Sequence, residues 1–404
     1  MTGMIHYLEM IAKDLVKENL QKYWTDFELV AYAIFDKNSV YLFNHPKHQD
    51  VHPHPYKVLS WNEQFVGNTI ILYEGFPTAI VDMEMYHDYE GLYSILVHEL
   101  FHGYQYIKGE KRFPDEILGI TYPITEENAE LRNRERRNLY DALMETDISK
   151  KQEFLKGFIE LREERAKRMK EYVTYENLVE SVEGPAWYVE LKAYSKKSRL
   201  AHELVLQKYG ANLLDVFASN SNIRRSSYSS GLFMCLLLDE FVPNWKESFF
   251  STDSTLFDLI KDLNVEPSPD AVVDVEISPE TVKAVNRAIE LRKKEFEEFE
   301  NQTGTQLFIK GEMTAFYFDP MNIVHIDGKL LHKNFIKVRI NNNEYFIQQP
   351  TIAYCVDGLR KMNKLHLFLK DTPIENSDSL TVPGIGEING CYTRKEDTYY
   401  LISR

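Results

Sequence analysis

The chain has 404 residues, of which 44% are hydrophobic and 27% charged, as expected for a soluble globular protein with a sizeable core. The formal net charge of −15 disfavours nucleic acid or an anionic membrane as the main partner, because both are themselves negative. No stretch is apolar over a bilayer-spanning length, and the charged N-terminus lacks the apolar core of a signal peptide. The cysteines Cys235, Cys355 and Cys391 are few and far apart, which favours free thiols and a cytoplasmic protein.

The N-terminal part of the chain predicts a helix followed by a small sheet. Residues 4–24 have apolar side chains at helical spacing, and strand-like runs follow at 29–35, 40–43, 69–73 and 78–82. Between the second and third run, residues 45–54 contain four histidines, which could indicate a metal site. Their prolines break any regular ligand spacing, so we predict an exposed loop there, and whether this loop binds metal stays open.

The motif His98-Glu99-Leu100-Phe101-His102 follows this sheet, within an apolar segment that has no proline between 93 and 107. Side chains four residues apart on a helix lie one above the other, so His98 and His102 project from the same face. Two imidazoles placed in this way can bind one Zn²⁺ and leave positions for a third ligand and a water. Glu99 lies beside the metal position, where a carboxylate can act as general base and then general acid. The alternative is a chance match of polar residues on an ordinary helix.

The third ligand has to come from elsewhere in the chain. One common zinc pattern needs a Gly and a His at the positions of Gln105 and Lys108, so that pattern is excluded. The other common solution is a Glu from a later helix, and the candidates are Glu127, Glu130, Glu180 and Glu183.

Glu183 is preferred among these candidates, with Glu180 next. The small residues Gly184 and Ala186 allow its helix to approach the His98 helix closely, and Pro185 predicts that Glu183 stands at the helix start. Glu190 lies two turns further on the same face, where it could accept the second ring N–H of a ligating histidine. Glu127 and Glu130 lie at the start of a charged helical stretch at 128–170, which we interpret as a solvated face.

These motifs resemble the gluzincin metallopeptidases, whose zinc is held by His-Glu-x-x-His and a downstream Glu. Residues 183–190 are similar to the Glu-Gly-x-x-x-Tyr-x-Glu segment of the alanyl-aminopeptidase group, in which the first Glu is the ligand. Residues 228–231 are similar to that group's Tyr-x-x-Gly, so the resemblance implies that Tyr228 stabilises the oxyanion. The alternative for Tyr228 is a structural role at a loop.

The resemblance covers about residues 70–245 and departs from the aminopeptidases in two respects. Their Gly-x-Met-Glu-Asn motif is missing, with Met83-Glu84-Met85 as the nearest match, and the separation of His102 from Glu183 is longer. Uncharacterised bacterial peptidases of this clan match the long separation better. Aminopeptidase specificity is therefore not implied.

The remaining sequence predicts an α+β protein with a zincin-like catalytic domain followed by a β-rich domain. We expect an N-terminal helix and small sheet at 1–92, a helical zinc-binding domain at 93–265, a linker and helix at 266–304, and a β-rich domain at 305–404. The expected function is hydrolysis of peptide or protein substrates, with one Zn²⁺ held by His98, His102 and Glu183. The alternative is a non-catalytic, peptidase-like zinc protein that acts as a binding or regulatory module.

Overall fold

A computed structural model describes residues 2–48, 54–263 and 275–403, with the side chains of 2–5 excepted. The chain is a mixed α+β protein, as predicted. Its residues form two compact units, one of 1–114 and 130–276 and the other of 115–129 and 277–404. None of the helices in the described part is long and apolar enough to cross a membrane.

The first unit begins with two helices and a five-stranded sheet. Their bounds are α1 Thr2–Asp14, α2 Lys17–Leu20, β1 Ala31–Phe35, β2 Ser39–Phe43, β3 Lys57–Ser60, β4 Thr69–Tyr73 and β5 Phe76–Asp82. The sheet order is β3-β2-β1-β5-β4, with β1 and β5 parallel and the other neighbours antiparallel. Alternate residues of β1 face opposite cores: Tyr32 and Ile34 join the main core, and Ala33 and Phe35 join a smaller one.

Helices make up the rest of the first unit. They are α3 Tyr89–Ile107, α5 Glu126–Met144 (which begins in the second unit), α6 Ile148–Arg168, α7 Lys170–Lys197, α8 His202–Leu214, α9 Val216–Ser221, α10 Ile223–Phe241, α11 Trp245–Ser248 and α12 Leu256–Lys261. The short helix α4, Glu116–Ile120, belongs to the second unit. The N-cap of α3 is Asp88, whose side chain accepts from Gly91 N at 2.7 Å. Near its end α3 packs on the sheet at Gly103, where an added Cβ would lie 2.5 Å from Val30.

Helix α7 differs from its prediction, because it runs through Pro185 and Glu183 lies in its middle rather than at its start. The small residue Gly184 also faces a different partner from the one expected. A Cβ on Gly184 would lie 2.6 Å from the backbone of Gly231, so the closest approach that it permits is to α10. Tight packing in this region holds α7 in place despite the internal proline.

The second unit adds one long helix and eleven strands. They are α13 Pro279–Glu300, β6 Thr305–Phe318, β7 Ile323–Ile326, β8 Lys329–His332, β9 Ile336–Ile340, β10 Asn343–Ile347, β11 Thr351–Asp357, β12 Lys361–Leu369, β13 Ile374–Glu375, β14 Ser379–Val382, β15 Gly386–Lys395 and β16 Thr398–Ser403. The main path of the sheet is β13-β14-β15-β16-β6-β12-β11-β8-β7, and β9 pairs with β6 and β10. Phe296 and Phe299 of α13 pack against Val324, Leu331 and Ile352 on one face of the sheet.

Candidate metal centre

Three side chains from α3 and α7 converge in the interior of the first unit. Nε2 of His98 lies 3.0 Å from Nε2 of His102, and Oε2 of Glu183 lies 3.7 Å and 3.3 Å from these two atoms. Three ligands about 2.0–2.1 Å from a tetrahedral Zn²⁺ are roughly 3.3–3.4 Å from one another, so the observed separations suit a single ion of this kind. The structure thus brings together the three residues that the sequence nominated as ligands.

Each histidine is oriented through its other ring nitrogen. Oε1 of Gln105 lies 2.7 Å from Nδ1 of His102, and the Gln105 amide nitrogen donates to Val182 O at 2.7 Å, which fixes the oxygen toward the ring. Oε2 of Glu190 lies 2.9 Å from Nδ1 of His98. The angle of this contact is too bent for a regular hydrogen bond, but the two atoms are close enough for the carboxylate to orient the ring. Both contacts favour a proton on Nδ1 and leave Nε2 with the lone pair that a metal ligand needs.

The electric field of the site favours a cation. Burial lowers the pKa of His98, but its contacts with Glu183 and Glu190 outweigh burial and raise that pKa to about 10. Burial raises the pKa of Glu183, but the two histidines and Arg224 outweigh it and hold that pKa well below its usual range. A buried cluster of carboxylates that draws a proton onto His98 would equally stabilise a bound divalent ion.

Glu99 is buried beside the cluster, and its exposed fraction is 6%. Burial raises the pKa of this carboxyl, and the neighbouring Glu183 and Glu190 act in the same direction, while His98 and His102 oppose them. A carboxylate whose basicity is increased in this way is suited to accept a proton.

The side chain of Tyr228 reaches the site from α10. Its ring centroid lies 6.4 Å from that of His98, and its hydroxyl accepts a hydrogen bond from Arg224 Nη1 at 2.8 Å. Burial raises the pKa of Tyr228 well above its usual value, and the Glu183 carboxylate adds to this, so the hydroxyl keeps its proton. A neutral phenol can donate a hydrogen bond to a developing negative charge, which is the role that the resemblance implies.

Sequence reasoning missed Arg224, which directly contacts Glu183, the candidate third ligand. Its Nη1 also donates to Oε1 of Glu183 at 3.1 Å, and therefore Oε2 is the oxygen that faces the histidines. The available signal was its position one helical turn before Tyr228, which places both side chains on one face of α10. Gln105 carried a similar signal, because it follows His102 by three residues on α3.

Within the described residues, Glu180 and Glu130 do not join the group formed by His98, His102 and Glu183. Glu180 is fully buried, and its carboxylate accepts from Arg162 and Ser230. The expectation that Glu130 is solvated is wrong, because only 6% of it is exposed and it pairs with Arg134 at 2.9 Å. Glu127 is exposed, as the sequence predicted.

The histidine-rich loop differs in part from the exposed loop that was predicted. His45 is buried, and ligand atoms of His45, His48 and Glu74 lie within 4.8 Å of one another. However, Nζ of Lys57 lies 3.0 Å from Nδ1 of His48, and since an ammonium only donates, the His48 proton belongs on Nε2. That nitrogen faces Oε2 of Glu74 at 3.6 Å, so the contact is an imidazole–carboxylate pair and needs no metal. His52 lies outside the described residues.

Comparison of the chain with protein-family models, with curated proteins and with solved structures finds no match. A functional assignment therefore rests on the residues of the site itself.

Proposed function

We propose that the protein is a zinc-dependent metallopeptidase of the gluzincin type, with one Zn²⁺ held by His98, His102 and Glu183. The observation that carries this proposal is the convergence of their three ligand atoms at separations of 3.0, 3.3 and 3.7 Å beside a buried Glu99. A purely structural zinc site needs no base next to it, and so the presence of Glu99 favours an enzyme over a binding module.

Bound zinc would supply a Lewis acid that polarises the scissile carbonyl and makes water acidic enough to attack near neutral pH. Glu99 takes the proton of the attacking water and then delivers it to the leaving amine. Tyr228 donates to the oxygen that becomes negative, a contribution typically worth roughly 3–4 kcal/mol when a single such donor is removed.

Three further side chains keep these groups in place. Glu190 and Gln105 orient the two imidazoles, and Arg224 holds Oε1 of Glu183 so that Oε2 points at the metal position. The substrate class is a peptide or protein. Because Cys235, Cys355 and Cys391 are all free thiols, we place the protein in a reducing compartment, the cytoplasm.

The test is a peptide library followed by mass spectrometry with zinc-loaded wild type and Glu99→Gln. The amide keeps the size of the side chain but cannot accept a proton at neutral pH, so this variant should bind one zinc and lose nearly all turnover. Tyr228→Phe is the graded control, because it removes one donor and leaves base and ligands intact. Equal cleavage by wild type and Glu99→Gln would refute the role of Glu99. A zinc-loaded wild type that cleaves nothing would favour a binding protein.

A further inference from the structure

A cluster of arginine and glutamate side chains lies buried between α5, α6 and α7. It was not foreseen, because the alternating charges of 128–170 predicted a solvated face. Seven side chains of the cluster are fully buried: Arg132, Arg136, Arg162, Arg165, Glu135, Glu176 and Glu180. Four guanidinium groups thus face three carboxylates, and burying an uncompensated charge in a protein interior is costly.

Three of the four arginines have acceptors suited to their geometry. Arg132 donates to Glu176 at 2.8 Å, to Ser226 Oγ at 2.7 Å and to the Ser219 carbonyl. Arg162 donates to Glu135 at 2.8 Å, to Asn177 at 2.9 Å and to Glu180. Arg165 donates to Glu135 at 2.7 Å and to Glu176.

Arg136 is the exception. It is fully buried, and within the described ranges no protein atom accepts a hydrogen bond from its Nε, Nη1 or Nη2. Every carboxylate oxygen of the cluster already accepts from another arginine, so none of these oxygens is left for Arg136 alone. The surplus positive charge and the unused donors therefore coincide in one side chain.

We propose that Arg136 is the anchor of a buried binding site for a small monovalent anion of the halide class. A water molecule could satisfy donors but could not neutralise the extra charge, whereas an anion does both. The ligand has to be small, because Arg136 has no solvent-exposed surface and the anion must be enclosed by the protein. Chloride is the halide that meets these conditions at ordinary cellular composition.

The cluster is joined to both helices that complete the metal centre. Glu180 lies one turn before Glu183 on α7, and Arg132 contacts Ser226, which lies half a turn before Tyr228 on α10. Filling the site should therefore stabilise the arrangement of α5, α7 and α10 as a unit. This inference does not depend on the proposed peptidase activity.

Thermal unfolding of the full chain in chloride, bromide and gluconate at constant ionic strength tests the site. An anion that binds only the folded state stabilises it with the logarithm of its concentration, so above the dissociation constant Tm should rise by about 2–3 °C per tenfold increase in halide. Gluconate is too large to be enclosed and should give no such rise. The variant Arg136→Met should lose the halide dependence, while Arg134→Met should keep it, because Arg134 is partly exposed and paired with Glu130.

Crystals of wild type grown in bromide supply a second measurement that does not depend on a folded variant. An anomalous peak beside the Arg136 guanidinium would support the proposal. The absence of that peak, together with equal Tm values in halide and gluconate, would overturn it. A halide dependence that survives unchanged in Arg136→Met would overturn it as well, because the anion would then bind elsewhere.

Discussion

The contact between Glu190 and His98 makes a sharp prediction about metal affinity. In Glu190→Gln the side chain keeps its length, and its amide oxygen can still accept the hydrogen bond that Tyr209 donates to Oε1 at 2.9 Å. The change removes the negative charge that lies 2.9 Å from Nδ1 of His98. The ring then loses the partner that favours a proton on Nδ1 and a lone pair on Nε2.

The magnitude follows from the burial of the pair. Loss of such a supporting group typically weakens metal binding about 10–100-fold, or about 1.4–2.7 kcal/mol. Only 6% of the His98 side chain and 14% of the Glu190 side chain are exposed, so water screens their contact weakly. We therefore expect a loss near the upper end of that range.

The assay is zinc competition between the apo-protein and a chromophoric chelator at neutral pH. Glu203→Gln is the matched control, because it makes the same chemical change on an exposed residue of α8 and should leave the affinity as in wild type. An unchanged affinity in Glu190→Gln would refute the reasoning. It would show that the contact with Glu190 does not set the state of the His98 ring.

Three other substitutions test the surroundings of the site and the second unit. Glu183→Ala should release zinc from the dialysed protein, whereas Glu180→Ala should keep its zinc. Glu180→Ala should instead lower the free energy of unfolding in urea by about 3–5 kcal/mol, because it leaves a buried arginine uncompensated. Zinc lost from Glu180→Ala and kept by Glu183→Ala would show that the wrong glutamate was chosen. Gly184→Ala should destabilise the fold by about 1–3 kcal/mol, because its Cβ would lie 2.6 Å from the facing backbone of α10. The control Gly157→Ala should cost less, because there the nearest atom belongs to a flexible side chain that can move. Equal urea midpoints for the two variants would contradict this reasoning. Burial lowers the pKa of His332 to about 4, so protonation of this residue favours unfolding. As the pH falls from about 6.5 to about 4, His332 should therefore cost up to about 3 kcal/mol of stability. His332→Phe should abolish this loss in acid-unfolding curves, and an unchanged loss would contradict the burial argument.

Local geometry explains why half of the candidate site was predictable. The spacing of His98 and His102 fixes their common face as soon as the segment is helical, and the structure has an α-helix from Tyr89 to Ile107. The strand-like runs before it likewise correspond to β1, β2, β4 and β5, because period and composition act over a few residues. The predicted position of Glu190 beside the second ring nitrogen of a motif histidine is confirmed, because Oε2 lies 2.9 Å from His98 Nδ1, although the contact is too bent for a regular hydrogen bond.

Tertiary structure alone decided which face of α7 meets α3. Glu180 and Glu183 are both buried on the same helix, but one faces an arginine cluster and the other faces two histidines, and spacing does not distinguish them. The position of Pro185 illustrates the same point, since packing of α7 against α10 retains a helix that local propensity would end. Arg224 reaches Glu183 only because α10 crosses α7 at Gly231.

The charged segment shows the largest difference between local pattern and fold. Alternating arginine and glutamate at helical spacing is typical of a solvated face, and nothing in that pattern reveals that Arg132, Glu135 and Arg162 pair inside the core. The partners come from other helices, up to 44 residues apart in the chain. The sequence by itself therefore determined the elements and the motif that places His98, Glu99 and His102 on one helix. Long-range packing determined which glutamate meets the two histidines, the supporting contacts and the buried charge, because each depends on which helix faces meet.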